Sequence, residues 1–299
     1  MALAIHPKTV SIPMSKKRLD PSWTKWLNEN LQRGCAPEEL LAILLDSQFH
    51  IGSIKKGMGA KFPAHSAMAL AAEGRRPDPI DYEAIALPRL VRNNPDVVSY
   101  DTDKVQLYTI NNFLSEPECD GLIAIINQHL RPSTITIPTS DNAFRTSQTC
   151  DLGLLDDPLV KGIDEKISRT LGIHLPYSEG NQAQRYDVGQ QFKRHTDYFE
   201  PGTDEYRQHA RIAGNRTWTF MVYLNNVEAG GGTRFFEIHH TFMPAKGQAV
   251  VWNNLHRDGT VNPDTAHAGT PVQAGHKIII TKWFRERGTG PMFIDTPQS

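Results

Sequence analysis

His195 and Asp197 stand two residues apart in Gln191-Phe-Lys-Arg-His195-Thr-Asp197-Tyr198-Phe199, a run rich in aromatic and extended-favouring residues. Successive side chains of a strand alternate faces, so the imidazole and the carboxylate project to the same side. Two such groups converging from one strand make up most of a metal site. Read alone, the pattern also describes a surface His–Asp hydrogen bond. It needs a third ligand and a use for the ion.

The third ligand must come from the remaining histidines. His6, His50, His65 and His129 lie outside the strand-rich region, and His174 precedes its first strand. His209 falls in a polar loop, His239 and His240 would face opposite ways if extended, His256 sits in a turn-rich stretch, and His276 adjoins the last strand. His267 stands out for the residues C-terminal to it: Ala268-Gly-Thr-Pro271-Val272, Gly275-His-Lys277, and the strand Ile278 to Trp283. In that strand Lys277, Ile279, Thr281 and Trp283 share one face, while Ile278 and Ile280 pack the other way. Burying a lysine without an anion is costly; a ligand carboxylate would answer that cost, and so would snorkelling to solvent. Two histidines and one carboxylate with open positions describe the facial triad of non-haem Fe(II) oxygenases. A structural zinc site is instead closed by four ligands, usually with cysteine.

These residues need a frame. Asp20-Pro-Ser22, with Ser22 as N-cap, opens a first helix, and Pro37-Glu-Glu39 opens a second, making a small helical hairpin. From Ile54 to about Pro95 the composition loosens into a linker with at most a short helix. Val105–Ile110 reads as a strand. Ser115-Glu-Pro-Glu118 is a capping-box signal for a helix that buries Cys119, Leu122, Ile123, Ile126 and Leu130. A further helix starts after Asp157-Pro158 and ends at Gly172. Short strands then take over: Gln182–Asp187, Gln191–Thr196, Arg216–Leu224, Thr233–Phe236, Gln248–Trp252 and Lys277–Phe284. Helices followed by many short strands indicate an α+β domain built on a β-sandwich or jelly roll, with a cavity between its sheets.

At 299 residues with 39% hydrophobic content, the chain can bury one large core or two small ones. A net charge of -1 offers no electrostatic drive toward nucleic acid or a membrane surface. Leu40–Leu45, the longest dense apolar run, is far short of the roughly 20 residues a span requires. The first residues lack the charged start and apolar length of a secretory signal. Three widely spaced cysteines, Cys35, Cys119 and Cys150, are not a disulfide framework and fit a reducing, cytoplasmic compartment.

From about residue 96 to 290 the chain resembles the 2-oxoglutarate- and Fe(II)-dependent dioxygenases of the prolyl 4-hydroxylase alpha-subunit type. The resemblance rests on a series of motifs in order. These are Arg145-Thr-Ser147, Arg185-Tyr-Asp-Val-Gly-Gln190, His195-Thr-Asp197, Arg216 with Val222-Tyr-Leu224, and Gly230-Gly-Gly-Thr-Arg-Phe235. Then come Lys246-Gly-Gln-Ala-Val-Val-Trp252, Leu255-His-Arg-Asp-Gly259, His267-Ala-Gly-Thr-Pro-Val272, and Gly275-His-Lys277 with Thr281-Lys-Trp283.

The resemblance implies a double-stranded β-helix (jelly roll) with flanking helices at 96–290, preceded by a helical region and linker at 1–95 and followed by a tail at 291–299. It implies that His195, Asp197 and His267 bind Fe(II). Lys277 would pair with the distal carboxylate of 2-oxoglutarate, near the hydroxyls of Tyr186, Thr233 and Thr281. Arg216 and Trp283 match substrate positions, and Arg145 falls in a loop that closes over substrate in relatives. O2 would be the second co-substrate and ascorbate an accessory reductant. An aspartate at 197 argues for hydroxylation, since related halogenating enzymes leave that position empty for chloride.

The glycines before Thr233 would let backbone approach the bound acid; a P-loop reading fails for want of the Lys-Ser/Thr pair. Thr270 and Ile278 replace a cysteine and a tryptophan common in the family, departures that bear on substrate more than on chemistry. The expected substrate is a prolyl residue of a peptide or protein. Its competitors are a free amino acid or small metabolite, and a non-catalytic jelly-roll module that binds a partner through the N-terminal hairpin. A homodimer is compatible with all three.

Overall fold

The computed structural model describes residues 17–64, 66–75, 78–87, 89–91, 96–133 and 145–294. The N-terminal tail through residue 16, the end of the C-terminal tail and the segment 134–144 beside Arg145 lie outside the described residues. The chain divides into two compact units, residues 1–79 and 80–299.

The smaller unit is helical: α1 (Pro21–Gln32), α2 (Pro37–Asp46), α3 (Ile51–Met58) and α4 (Ala67–Ala72). The cap of α1 is Asp20 rather than Ser22, its carboxylate accepting from the Trp23 amide at 3.0 Å. Proline tolerates the first helical turn, so the helix starts at Pro21 and the cap moves ahead of it. Leu27 and Leu31 of α1 meet Leu41 and Leu44 of α2, and α3 completes this core with Ile54 and Met58. The expected hairpin therefore gains a third helix from a stretch whose composition reads as linker.

The larger unit starts ahead of the residue-96 boundary. Its helix α5 (Tyr82–Ala86) contributes Ile85, which is buried in the unit's core with Leu90, and the Trp218 indole donates to the Ile85 carbonyl at 3.0 Å. Strands β1 (Val97–Asp101) and β2 (Gln106–Ile110) form a hairpin before α6 (Glu116–Gln128). The capping box forms as expected, Glu118 accepting from the Ser115 amide at 2.7 Å. Strands β3 (Arg131–Pro132) and β4 (Gln148–Cys150) precede α7 (Pro158–Leu171), which Asp157 caps and Gly172 ends with a left-handed φ of 75°. Next come β5 (Gln182–Tyr186), β6 (Phe192–His195), the short α8 (Asp204–His209) and β7 (Arg216–Tyr223). The remainder is β8 (Ala229–Gly230), β9 (Thr233–Phe235), β10 (His240–Phe242), β11 (Ala249–Asn253), β12 (His267–Gly269), β13 (Val272–Ala274) and β14 (Lys277–Arg285).

Among the described residues, one antiparallel sheet runs β1-β2-β11-β7-β14-β5-β4-β3 and a second runs β10-β9-β12-β6. Strand parity divides the core. Trp218, Phe220 and Val222 of β7, with Ile278 and Ile280 of β14, pack against α6 and α7. Met221 and Tyr223 point the other way and meet Phe235 and Phe242 of the second sheet. This is a jelly roll with helices on one outer face and a cavity between its sheets. No helix among the described residues is long and apolar enough to cross a membrane.

Candidate active site

His195 closes β6 and His267 opens β12, and the two are register partners across the antiparallel pair. His267 thus stands at the head of a short strand. Each ring is held by its own backbone: His195 Nδ1 lies 2.8 Å from the Lys193 carbonyl and His267 Nδ1 2.9 Å from the Thr265 carbonyl. A carbonyl only accepts, so Nδ1 carries the proton and Nε2 keeps its lone pair. The two Nε2 atoms lie 3.7 and 4.0 Å from Asp197 Oδ1, and the ligand atoms of the three residues fall within 4.8 Å of one another. Donor atoms that close together fit a single divalent ion.

Burial, then the neighbouring His267, pushes His195 down to about 3. Its 3.7 Å contact with Asp197 is therefore a contact between a neutral ring and a carboxylate. Burial alone would raise Asp197, but His267, His195 and Arg216 outweigh it and hold it below the usual carboxylate range. Two imidazoles whose Nδ1 atoms face backbone carbonyls, with one ionised carboxylate, are a metal-ready donor set. Aromatic rings keep it dry. Phe192 stacks on His195 at 3.6 Å between centroids, Phe235 on His267 at 5.2 Å, and Trp252 meets His267 edge-on at 4.9 Å.

Behind the triad a chamber of about 60 Å³ is walled by Tyr186, Thr233, Lys277 and Thr281, so the expected co-substrate residues converge on one space. Lys277 is 1% exposed, and burial alone pushes its ammonium down to about 7. Among the described residues it meets no carboxylate and rests 4.3 Å from the Tyr186 ring centroid. It does not snorkel. Thr233 accepts from the Tyr223 hydroxyl at 2.7 Å, and Thr281 donates to Gln184 Oε1 at 3.2 Å. A side chain on Gly269 would come within 3.2 Å of Lys277 Nζ, so glycine there keeps the chamber open. The run Gly230–Gly232 has another cause: a Cβ on Gly230 would lie 2.3 Å from the Pro271 carbonyl, and its φ is +73°. Backbone crowding between strands accounts for that glycine.

The triad opens outward into a cleft of about 1110 Å³ that includes Arg145, Arg216 and Trp283. Arg145 bridges to Phe192 and lies 4.9 Å over its ring. Arg216 binds the Glu179 carboxylate through Nε at 2.7 Å and Nη2 at 2.8 Å, donates to the Asp197 carbonyl at 3.3 Å, and stacks 4.1 Å from Trp283. Trp283 Nε1 is buried, makes no close hydrogen bond among the described residues, and lies near enough to Asp197 to help hold its carboxyl down.

Glu179 also takes Arg285 at 2.9 Å, making a partly buried two-arginine clamp without a sequence signal. Burial alone would raise Glu179, but Arg216 and Arg285 hold it ionised. Glu179→Ala would leave both guanidiniums unpaired. About a quarter of the carboxylate side chain still meets solvent, which places the expected loss near the low end for a buried pair, about 3 kcal/mol. Urea unfolding measures it, and a loss under about 1 kcal/mol would show that solvent replaces the clamp.

Residues 181–285 match the 2OG-Fe(II) oxygenase superfamily. The chain is 33% identical over 193 residues to prolyl 4-hydroxylase subunit alpha-1 of Mus musculus, covering 62% of this chain and 35% of that protein. It is 33% identical over 183 residues to prolyl 4-hydroxylase subunit alpha-3 of Mus musculus, covering 60% and 33%. It thus spans about a third of the length of the curated relatives it matches. Among solved structures, the viral collagen prolyl hydroxylase of Paramecium Bursaria Chlorella virus-1, as its 2OG complex, aligns at 25% identity over 60% of this chain and 94% of that one, with a TM-score of 0.47.

Proposed function

We propose, from the match of residues 181–285 to the 2OG-Fe(II) oxygenase superfamily and the site geometry, that this chain is an Fe(II)- and 2-oxoglutarate-dependent dioxygenase. It hydroxylates a C–H bond of a prolyl residue in a peptide or protein. One observation carries the reading: a buried lysine with no carboxylate partner among the described residues shares a small chamber with a His-Asp-His triad. A binding module would bear the cost of that lysine without return; a dicarboxylic acid supplies its missing anion.

Each residue then has a role. His195, Asp197 and His267 would hold the metal, with the two imidazole Nε2 atoms and the Asp197 carboxylate as its donors. Lys277 pairs with the distal carboxylate of 2-oxoglutarate, and Tyr186, Thr233 and Thr281 place hydroxyls around it. Phe192, Phe235 and Trp252 exclude water. Bound iron with 2-oxoglutarate and O2 supplies the oxidising power that turns C–H into C–OH, with release of succinate and CO2. The protein's share is to hold the target bond beside the metal.

The outer cleft supports a peptide over a free amino acid. It is far larger than one residue requires, and Leu154 on its rim is 85% exposed, an apolar surface suited to a flanking side chain. Trp283, Arg216 and Arg145 complete the wall. We assign catalysis to residues 96–290, with the helical region before it and the tail after it outside the chemistry. We place the protein in the cytoplasm, where free Cys35, Cys119 and Cys150 and ferrous iron both persist.

A coupled succinate assay over proline-containing peptides and free amino acids tests the substrate. Succinate should form in step with hydroxylated peptide and stay at background with free proline. Turnover of a free amino acid with none on any peptide would sink the peptide assignment and leave the chemistry standing.

A further inference from the structure

We propose that Thr219 is a positioning residue that, with Asn254 and Trp252 behind it, restricts Asp197 to one-oxygen ligation of the metal. The inference rests on the metal-centre reading above and goes beyond it to a part of the chain that reading leaves unused.

Hydrogen-bond direction decides the assignment. Trp252 Nε1–H can only donate, and it lies 3.0 Å from Asn254 Oδ1. That identifies the amide oxygen and turns Asn254 Nδ2–H toward Thr219 Oγ1, 2.9 Å away. Thr219 has a single hydroxyl proton. With an amide donating to its oxygen, that proton goes to Asp197 Oδ2 at 2.7 Å. No link in the chain can be reversed, because an indole N–H starts it and a carboxylate ends it.

The chain is also rigid and dry. Thr219 and Asn254 are fully buried, with Trp252 at 1% and Asp197 at 6%. Thr219 sits on a central strand, opposite Trp252 of β11 on one side and Trp283 of β14 on the other. Trp252 packs its ring against both Phe235 and His267, so one side chain sets a ligand's ring and starts the chain that sets another ligand's carboxylate.

The consequence is asymmetry between two otherwise equivalent oxygens. Oδ2 is tied to Thr219, and Oδ1 is the atom near both Nε2 lone pairs. A carboxylate free to rotate could chelate the metal with both oxygens and occupy a position that a bidentate acid or O2 requires. The bond from Thr219 opposes that rotation.

The test uses the full chain, loaded anaerobically with Co(II) as a spectroscopic probe, for the wild type, Thr219→Val, Thr219→Ser, Trp252→Phe and His267→Ala. Thr219→Val keeps the shape and removes the hydroxyl. It should change Co(II) affinity by roughly 10–100-fold and alter the visible absorption of the bound ion. It should also raise the concentration of 2-oxoglutarate needed to perturb that spectrum. Thr219→Ser should restore the wild-type spectrum. Trp252→Phe keeps an aromatic ring beside His267 and removes the first donor, so it should shift the spectrum in the same direction even if Thr219→Val fails to fold. Wild-type spectra and affinities in Thr219→Val or in Trp252→Phe would overturn the inference alone. Absence of Co(II) binding by the wild type, or undiminished binding by His267→Ala, would overturn the metal-centre reading and this inference with it.

Discussion

Replacing Lys277 by methionine is expected to make the empty protein more stable while removing its affinity for 2-oxoglutarate. The ammonium is fully buried, and burial lowers it from 10.5 to about 7. At about 1.4 kcal/mol per unit, that shift corresponds to a penalty of roughly 5 kcal/mol at most. The sign comes from proton counting. Below about pH 7 both folded and unfolded lysines are protonated and the full penalty applies. Between about 7 and 10.5 the unfolded chain holds a proton that the folded chain has lost, so stability rises with pH across that window. Urea unfolding at several pH values should show the wild type climbing toward a Lys277→Met variant that lacks this dependence. Binding has the opposite trend. A dicarboxylate needs the charged ammonium, so wild-type affinity should fall by up to about tenfold per unit above pH 7. The variant should bind roughly 10²–10³-fold more weakly, the consequence of an unpaired carboxylate in a buried site. Lower stability in the variant, or unchanged 2-oxoglutarate affinity, would rule out this role.

That trade is legible in the sequence to the extent that strand parity is. Lys277, Ile279, Thr281 and Trp283 face the cavity and Ile278 and Ile280 the helices, because period-two alternation is a local property of the chain. The capping box at Ser115, the Asp157 cap and the left-handed glycine at 172 are equally local, and they bound α6 and α7 where the residues imply. What escaped is what only tertiary packing decides. The helices α3 and α5 are too short to establish a helical period, and they exist because Ile54, Met58 and Ile85 find apolar neighbours distant in the chain. Strands of two or three residues, such as β8 and β12, have no pattern to read; register alone reveals His267 opposite His195. Glu179, Thr219 and Asn254 lie outside any spacing rule, since their partners are strands apart.

The direction of the Thr219 hydroxyl leads to the second large effect. Asp197→Asn nearly preserves shape, and a simple view would grant it part of the wild-type metal affinity. The buried chain predicts otherwise. Thr219 donates at position 197, so the new amide must turn its oxygen there and its NH2 toward the histidines. Both Nε2 atoms carry lone pairs, 3.7 and 4.0 Å from the atom being replaced, and a small rotation lets the amide donate to them. The metal's place is then taken by N–H groups, and the lone pairs it needs are capped. Asp197→Asn should therefore lose metal by more than roughly 100-fold, since removing a ligand exceeds the effect of disturbing the shell around it. Succinate formation should fall to background. Asp197→Ala should lose metal as well, but it leaves the Thr219 hydroxyl and both Nε2 atoms without partners, costing about 1–3 kcal/mol for each buried group. Anaerobic titration calorimetry and thermal unfolding separate the two: both variants fail to bind metal, and the asparagine variant melts higher. Metal affinity within about tenfold of wild type in Asp197→Asn, less than the loss of even a supporting contact allows, would mean that the amide oxygen faces the histidines and that Thr219 does not dictate the orientation of this side chain.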